Sequence, residues 1–245
     1  MSNLISIENA ATTSRISSQV KNNTTNVVNS GASLSTVAPS QLSKTDKGVR
    51  VQATADADTY IPVVYGEAYT QGKLTDVEMT ADGTRMWYCL TISEFTGNHI
   101  DGTPSTIDFE NIYWNNSRVT FRADGFTVEK TTDLNGLDDN SVADLIEIHC
   151  YSNGSSNPVG VTGQATPANT PAYDRMPSWT STDAMSGLVF VLVKVFYNPA
   201  RNLTGLPPVT LQLKNSLTLP GDVLYDYLTN TRYGAGIPEA EINVS

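Results

Sequence analysis

Apolar and polar residues alternate along most of this chain with the period of a β-strand. Met86, Tyr88, Leu90 and Ile92 fall on one face, and Trp87, Cys89 and Thr91 on the other. Side chains of successive strand residues point to opposite faces, so this stretch reads as a strand with two apolar faces. Asp82-Gly83 just before it is a hairpin turn, which pairs residues 74–79 with 85–95. Asp124-Gly125 joins 119–122 to 126–130 in the same way. Further strands are expected at 61–65, 112–114, 145–151, 188–197 and 209–213. An alternation at Val49, Val51 and Ala53 suggests one more.

The pattern breaks in three places. Residues 1–48 are rich in Ser, Thr, Asn, Gln and Ala, with no aromatic before Tyr60. Such a segment cannot bury enough apolar surface to offset its ordering entropy. It is expected to be disordered alone and to order as an arm against neighbouring subunits. Residues 152–186 form a long Gly-, Pro-, Ser-, Thr- and Asn-rich stretch, either a solvated surface loop or an insertion or contact between subunits. Near Asp222 the period changes to that of a helix, with Val223, Leu224, Tyr227 and Leu228 on one face. Pro220-Gly221 breaks the preceding strand, Asp222 is placed to cap the first turn, and Gly234 and Gly236 stop the helix. Pro238-Glu239-Ala240-Glu241 resembles the start of another helix.

The expected organisation is therefore an N-terminal arm (1–48), a mainly β region (49–220) of barrel or sandwich type, and a helix and turn (221–245) leading to a further domain. Composition agrees: of 245 residues only 16% are charged, while Gly (17), Pro (12) and Tyr (11) are plentiful. The net charge of −10 argues against nucleic-acid binding, which needs Lys and Arg to displace counterions. It leaves open a surface past which DNA slides. The longest apolar run, residues 188–193, is far short of the ~20 that span a bilayer as a helix, so no membrane insertion is expected. No apolar leader follows Met1, which points to assembly in a reducing cytoplasm with Cys89 and Cys150 free.

Candidate chemistry is thin. His99, His149, Cys89 and Cys150 are the whole complement of His and Cys, and no pair has zinc-site spacing. His149 and Cys150 are strand neighbours pointing to opposite faces, with Cys150 in the core beside Ile146 and Ile148. Ser93-Glu94 and His99-Ile100-Asp101 supply residue types for nucleophilic catalysis without its signature and read as solvated turn residues. Glu94, Asp108 and Glu110 lie near aromatics, as a glycosidase pair would. The acids of 133–140 read as an acidic turn, since they lack the spacing of a calcium loop. Tyr60, Tyr65, Tyr69, Trp87, Trp114 and Trp179 could form a sugar platform, but aromatics in strands more often serve core or subunit interface. No catalytic residue, metal or cofactor is expected.

Three segments carry a resemblance. Leu224-Tyr225-Asp226-Tyr227-Leu228-Thr229-Asn230-Thr231-Arg232-Tyr233-Gly234-Ala235-Gly236-Ile237-Pro238 resembles a helix-and-turn segment of the tip attachment protein J family of phage tails. Ile61-Pro62-Val63-Val64-Tyr65-Gly66-Glu67 is similar to a strand of the same family, and residues 107–116 to another. The resemblance implies a structural hub of β domains that trimerises at the tail tip or baseplate. It implies contacts with the tail tube or distal tail protein, the tape measure protein and other baseplate, tip and fibre proteins. It places the chain in the virion, around the channel used in genome ejection. Pro62, Tyr65 and Gly66 would belong to a core strand of a hub domain. Leu224, Tyr227, Leu228, Arg232, Tyr233, Gly234 and Gly236 would form a joint between domains, with the helix face buried. Gly234 would take a left-handed conformation, and Arg232 would bond carbonyls at the helix end or an acid across the joint. Family members run longer, so this chain is either part of a larger product or one piece of a split hub, with assembly a safer expectation than receptor binding. Two other classes compete: a carbohydrate-binding β-sandwich module and a cell-wall hydrolase.

Overall fold

The computed structural model describes residues 60–243. The expected arm (1–48) and the alternation at 49–53 lie outside them. The described chain is mainly β, built from two antiparallel sheets that face each other and do not close into a barrel. The strands are β1 (Glu67–Gln71), β2 (Lys73–Met79), β3 (Arg85–Glu94), β4 (Ile107–Trp114), β5 (Ser117–Phe121), β6 (Val128–Thr132), β7 (Asp138–Asp139), β8 (Ile146–Tyr151), β9 (Pro158–Val159), β10 (Leu188–Phe196) and β11 (Val209–Asn215). One helix, α1 (Pro220–Thr229), follows. The first sheet has the order β1-β11-β4-β5-β6-β7 and the second β2-β3-β10-β8-β9.

The alternation in β3 works as its pattern predicts. Met86, Tyr88, Leu90 and Ile92 enter the core between the sheets, where they meet Phe109, Ile112, Leu211 and Leu213 of the first sheet. Trp87 and Cys89 point the other way. The expected 74–79/85–95 hairpin forms as β2 with β3, and β5 pairs with β6 across the Asp124-Gly125 turn. Asp124 Oδ1 accepts the amides of Phe126 and Thr127 there. Cys150 lies in the inter-sheet core and His149 on the opposite face, both as expected. Both cysteines are free and buried.

The apolar run of β10 is explained by burial on both faces. Val189, Val191, Val193 and Val195 face the inter-sheet core. Phe190 and Leu192 join Trp87, Cys89 and Tyr151 on the outer face, beneath Ala172 and Met176. Those last two come from the 152–186 stretch. Part of that stretch is therefore a cover packed on the second sheet and not a wholly solvated loop, although many of its residues remain exposed. Trp179 seals its edge and donates from Nε1 to Asp76 Oδ2 at 2.7 Å.

Two strand expectations also change. β4 begins at Ile107, well before residue 112, because a bulge interrupts its pattern: Leu213 pairs with Phe109 but Gln212 with Asn111. The extra residue lets both Ile107/Phe109 and Ile112/Trp114 point inward. Residues 61–65 do not form a regular strand. They make one parallel bridge, Val63 with Glu94, and cross the end of the sandwich as a strap. No helix among the described residues is long and apolar enough to cross a membrane.

Candidate functional site

Two of the three segments that carry the resemblance, 61–67 and 224–238, come together at one end of the sandwich, and the third, 107–116, supplies strand β4 of the first sheet. The strap binds both sheets through unlike partners. The Glu94 amide donates to the Pro62 carbonyl (2.9 Å), and the Gly66 amide to the Leu217 carbonyl (3.0 Å). Between them, the Val64 amide donates to Ser93 Oγ (3.0 Å) and the Val64 carbonyl accepts Asn215 Nδ2 (2.7 Å). Asn215 is fully buried, and its amide also serves Thr96 Oγ1 and the Leu217 amide. Proline lacks a donor, and with these bonds the strap's buried polar groups need no ladder.

α1 packs across this strap and turns its acids inward. Asp226 is 2% exposed. Its Oδ2 accepts the hydroxyls of Tyr65 and Tyr233, each at 2.7 Å, and its Oδ1 accepts the Gly97 amide at 2.7 Å. Burial and the bonds to Asp226 raise both tyrosine hydroxyls above their ordinary range, so they remain protonated donors. One turn earlier, Asp222 Oδ2 meets His99 Nδ1 at 2.8 Å and Oδ1 accepts the Ile100 amide at 3.2 Å. These bonds hold the Asp222 carboxyl below its usual range, the His99 bond being the larger cause. Asp222 does not cap the helix as expected. Pro220 starts it without a donor to satisfy, Leu219 occupies the cap, and the carboxylate reaches sideways.

The expected buried face of α1 is also overturned. Leu224 is 57% and Tyr227 51% exposed, while Val223 and Leu228 are half-buried. The surface beneath the helix offers amides, a histidine and a tyrosine, so polar i, i+4 partners at Asp222 and Asp226 match it better than leucines. The chain then turns back on α1. Ala235 donates to the Tyr227 carbonyl and Ile237 to the Leu228 carbonyl, both at 2.8 Å, and Gly236 to the Asn230 carbonyl at 3.1 Å. Gly234 is needed for close approach: a Cβ there would lie 2.0 Å from the Tyr227 carbonyl oxygen. The left-handed residue is Gly236 (φ +64°), which corrects the assignment to Gly234. Arg232 does pair with an acid across the joint. Its Nε lies 2.7 Å from Glu94 Oε2, and Nη1 donates to the Ser186 carbonyl at 2.7 Å. Burial raises the Glu94 carboxyl, against the opposing pull of Arg232.

His99 completes a chain that sequence reasoning missed. The Thr106 amide donates to Ser216 Oγ (2.9 Å), Ser216 Oγ lies 3.0 Å from His99 Nε2, and His99 Nδ1 reaches Asp222. A neutral imidazole with its proton on Nδ1 satisfies every group in one direction. These residue types, contacting in this order, are also those of nucleophilic catalysis; the backbone beside Ser216 is tied into the fold. Ser216 N donates to the Thr106 carbonyl and Leu217 N to Asn215 Oδ1. The arrangement is a clamp holding α1 to β11 and to the 96–106 loop. Nothing in the spacing of residues 99, 216 and 222 signals it. His99 is built into this clamp, Ser93 into the strap and Glu94 into the pair with Arg232, so these three are not solvated turn residues, whereas Ile100 and Asp101 are exposed in their turn as expected.

The remaining candidates disperse. Glu94 ends β3 in one sheet, whereas Asp108 and Glu110 lie on β4 in the other. Trp87 and Trp114 are core residues and Trp179 packs against the second cluster, so no tryptophan platform forms. The 133–140 acids form a turn, with Asp133 Oδ1 accepting the amides of Asn135 and Leu137. Among the described residues no group of three or more His, Cys, Asp or Glu is placed to hold a metal ion. Comparison with protein-family models and with curated proteins gives no match for the chain.

Proposed function

We propose that the chain is a structural, non-enzymatic subunit of a phage tail hub. In this reading it forms a homotrimer around the channel at the tail tip or baseplate, assembled in the host cytoplasm. It joins the tail tube or distal tail protein to the tip, encloses the end of the tape measure protein, and adjoins other tip and fibre proteins. One observation carries the reading. Two segments far apart in sequence that resemble the same family, around Tyr65 and around Tyr233, share the buried carboxylate of Asp226. The strap around Tyr65 and the helix and tight turn around Tyr233 are thus locked together at the end of the β-sandwich, which supports reading them as one joint. An interdomain joint has to transmit position, and buried polar networks fix geometry more narrowly than apolar packing. The outward face of α1, with Leu219, Leu224 and Tyr227 exposed, would be covered by a neighbouring subunit.

Image reconstruction of particles containing this chain tests the proposal. Three copies should surround the tail axis, with α1 and its turn at a contact between domains or subunits. Finding the chain absent from particles, monomeric within them, or in a ring of six would overturn it.

A further inference from the structure

The outward side of α1 carries an apolar stripe. Pro220, Leu224 and Tyr227 recur at i, i+4 and i+7, on the side of the helix away from Asp222 and Asp226. Leu219 stands beside them at the helix cap. Leu219, Leu224 and Tyr227 are 64%, 57% and 51% exposed. The helix cannot roll to bury them, because Asp222 and Asp226 pin its other side to His99 and to the Gly97 amide. The rim of the stripe is acidic. The short turn Glu239–Glu241 follows the chain reversal, both of its acids are exposed, and Glu239 lies beside Tyr225 on the flank of the helix. Arg232, the cation of this region, is already paired with Glu94.

Size, charge and reach together identify what covers it. Four side chains offer far less than the ~800 Å² a side of a standard interface, so two free copies would not hold together through this stripe alone. A segment tethered within an assembly needs less contact, because its effective concentration reaches about millimolar. Residues 1–50 supply such a segment with the complementary charge. They carry Arg15, Lys21, Lys44, Lys47 and Arg50 against Glu8 and Asp46, a balance of +3, which leaves −13 for the rest of a chain whose total is −10. Apolar and basic residues coincide within them: Ile16 and Val20, four residues apart, are flanked by Arg15 and Lys21. The described chain starts at Tyr60, 92% exposed, on the strap against which α1 packs. The residues before it span up to ~200 Å when extended, at ~3.3–3.6 Å each, enough to cross to an adjacent copy.

We propose that residues 1–50 of an adjacent copy dock on the outward stripe of α1. Apolar side chains such as Ile16 and Val20 would cover Leu224 and Tyr227, and the neighbouring cations would face Glu239 and Glu241. The inference rests on the hub reading, which supplies the adjacent copy, and it names the part of the neighbour that covers the helix.

The test is photo-crosslinking of the full chain in assembled particles. The reactive p-benzoylphenylalanine replaces Leu224, Tyr227 or, as a control, Leu134, which is 89% exposed on the 133–140 turn at the far edge of the first sheet from β1. Positions 224 and 227 should give adducts of two chains' mass whose peptides map to residues 1–50, and position 134 should not. Leu224→Asp with Tyr227→Asp should speed tryptic cleavage at Arg15 and Lys21 in particles about 5-fold or more, as the undocked population grows. The melting temperature of the isolated chain should not change, since both side chains are exposed in it. Glu239→Gln with Glu241→Gln should speed the same cleavage about 2-fold, the loss of surface ion pairs. Adducts that map to residues 60–245, to another protein or within a single chain overturn the proposal, as does cleavage unchanged in both variants. In a ring of three copies any of these results leaves the hub reading standing; absence of the chain from particles overturns both.

Discussion

Replacing Asp226 with alanine should cost this fold more than any other single change on α1. The carboxylate is buried and accepts three hydrogen bonds, from Tyr65, Tyr233 and Gly97. Hydrogen bonds to a charged group are worth about 1.5–3 kcal/mol each, against 0.5–1.5 for neutral pairs. The two tyrosine hydroxyls are only partly buried and can turn to water, which lowers their share to about 1 kcal/mol each. The Gly97 amide cannot move without its loop and keeps the larger value. The sum is about 3–5 kcal/mol, or a fall of about 6–20 °C in Tm at ~2–4 °C per kcal/mol for a domain of this size. Asp226→Asn keeps an acceptor for Gly97 and should lose about 1–2 kcal/mol, the charge-assisted part. The assay is urea denaturation of both variants, with Tyr233→Phe added to close a double-mutant cycle. Tyr233→Phe should matter less in the Asp226→Ala background than in wild type. Leu224→Ala is the control: it removes an exposed side chain and should stay within about 0.5 kcal/mol. If Asp226→Ala matches Leu224→Ala, the buried carboxylate of Asp226 does not anchor the helix to the strap.

Gly234→Ala should open the turn, because its Cβ meets a backbone carbonyl at 2.0 Å. Gly236→Ala, strained only by its positive φ, should cost about 1 kcal/mol; equal Tm losses would contradict this division of roles. Burial pushes the His149 imidazole from 6.5 down to about 4, so the fold favours its neutral form. Burial alone would raise the Glu147 carboxyl, but its bonds to His149 and Lys194 outweigh that and bring it to about 2. Both groups therefore stabilise the fold above their unfolded values. Stability should fall as pH drops below about 6.5 through His149, and further below about 4.5 through Glu147. His149→Gln should flatten the loss between pH 6.5 and 4, as read from urea midpoints; an unchanged profile would show that another group titrates. Burial lifts the Cys89 thiol to about 12 and raises that of Cys150 as well. Both should resist a thiol reagent at neutral pH until the protein unfolds, and rapid labelling of native protein would refute their placement.

Period and turn chemistry were enough to read most of the sandwich. The two faces of β3, the Asp-Gly turns and the opposed Cys150 and His149 all follow from side-chain alternation, which is a property of the local backbone. What each face would meet is not local. Leu224 and Tyr227 of α1 mark a face by the same periodicity as any amphipathic helix, yet they point outward. The surface below is polar, and that surface is assembled from residues 65, 97, 99 and 233. The bulge in β4 broke the alternation by one residue, so periodicity reached only residues 112–114, and the rest of the strand was legible by resemblance alone. The Gly- and Pro-rich 152–186 stretch has the composition of a solvated segment, but the outer face of β10 is apolar and takes Ala172 and Met176 as its cover. Sequence named Tyr65, Arg232, Tyr233 and the two glycines by resemblance. Only the folded chain gave the two tyrosines a common partner, because the Tyr65–Asp226 bond spans 161 residues and no spacing rule reaches that far.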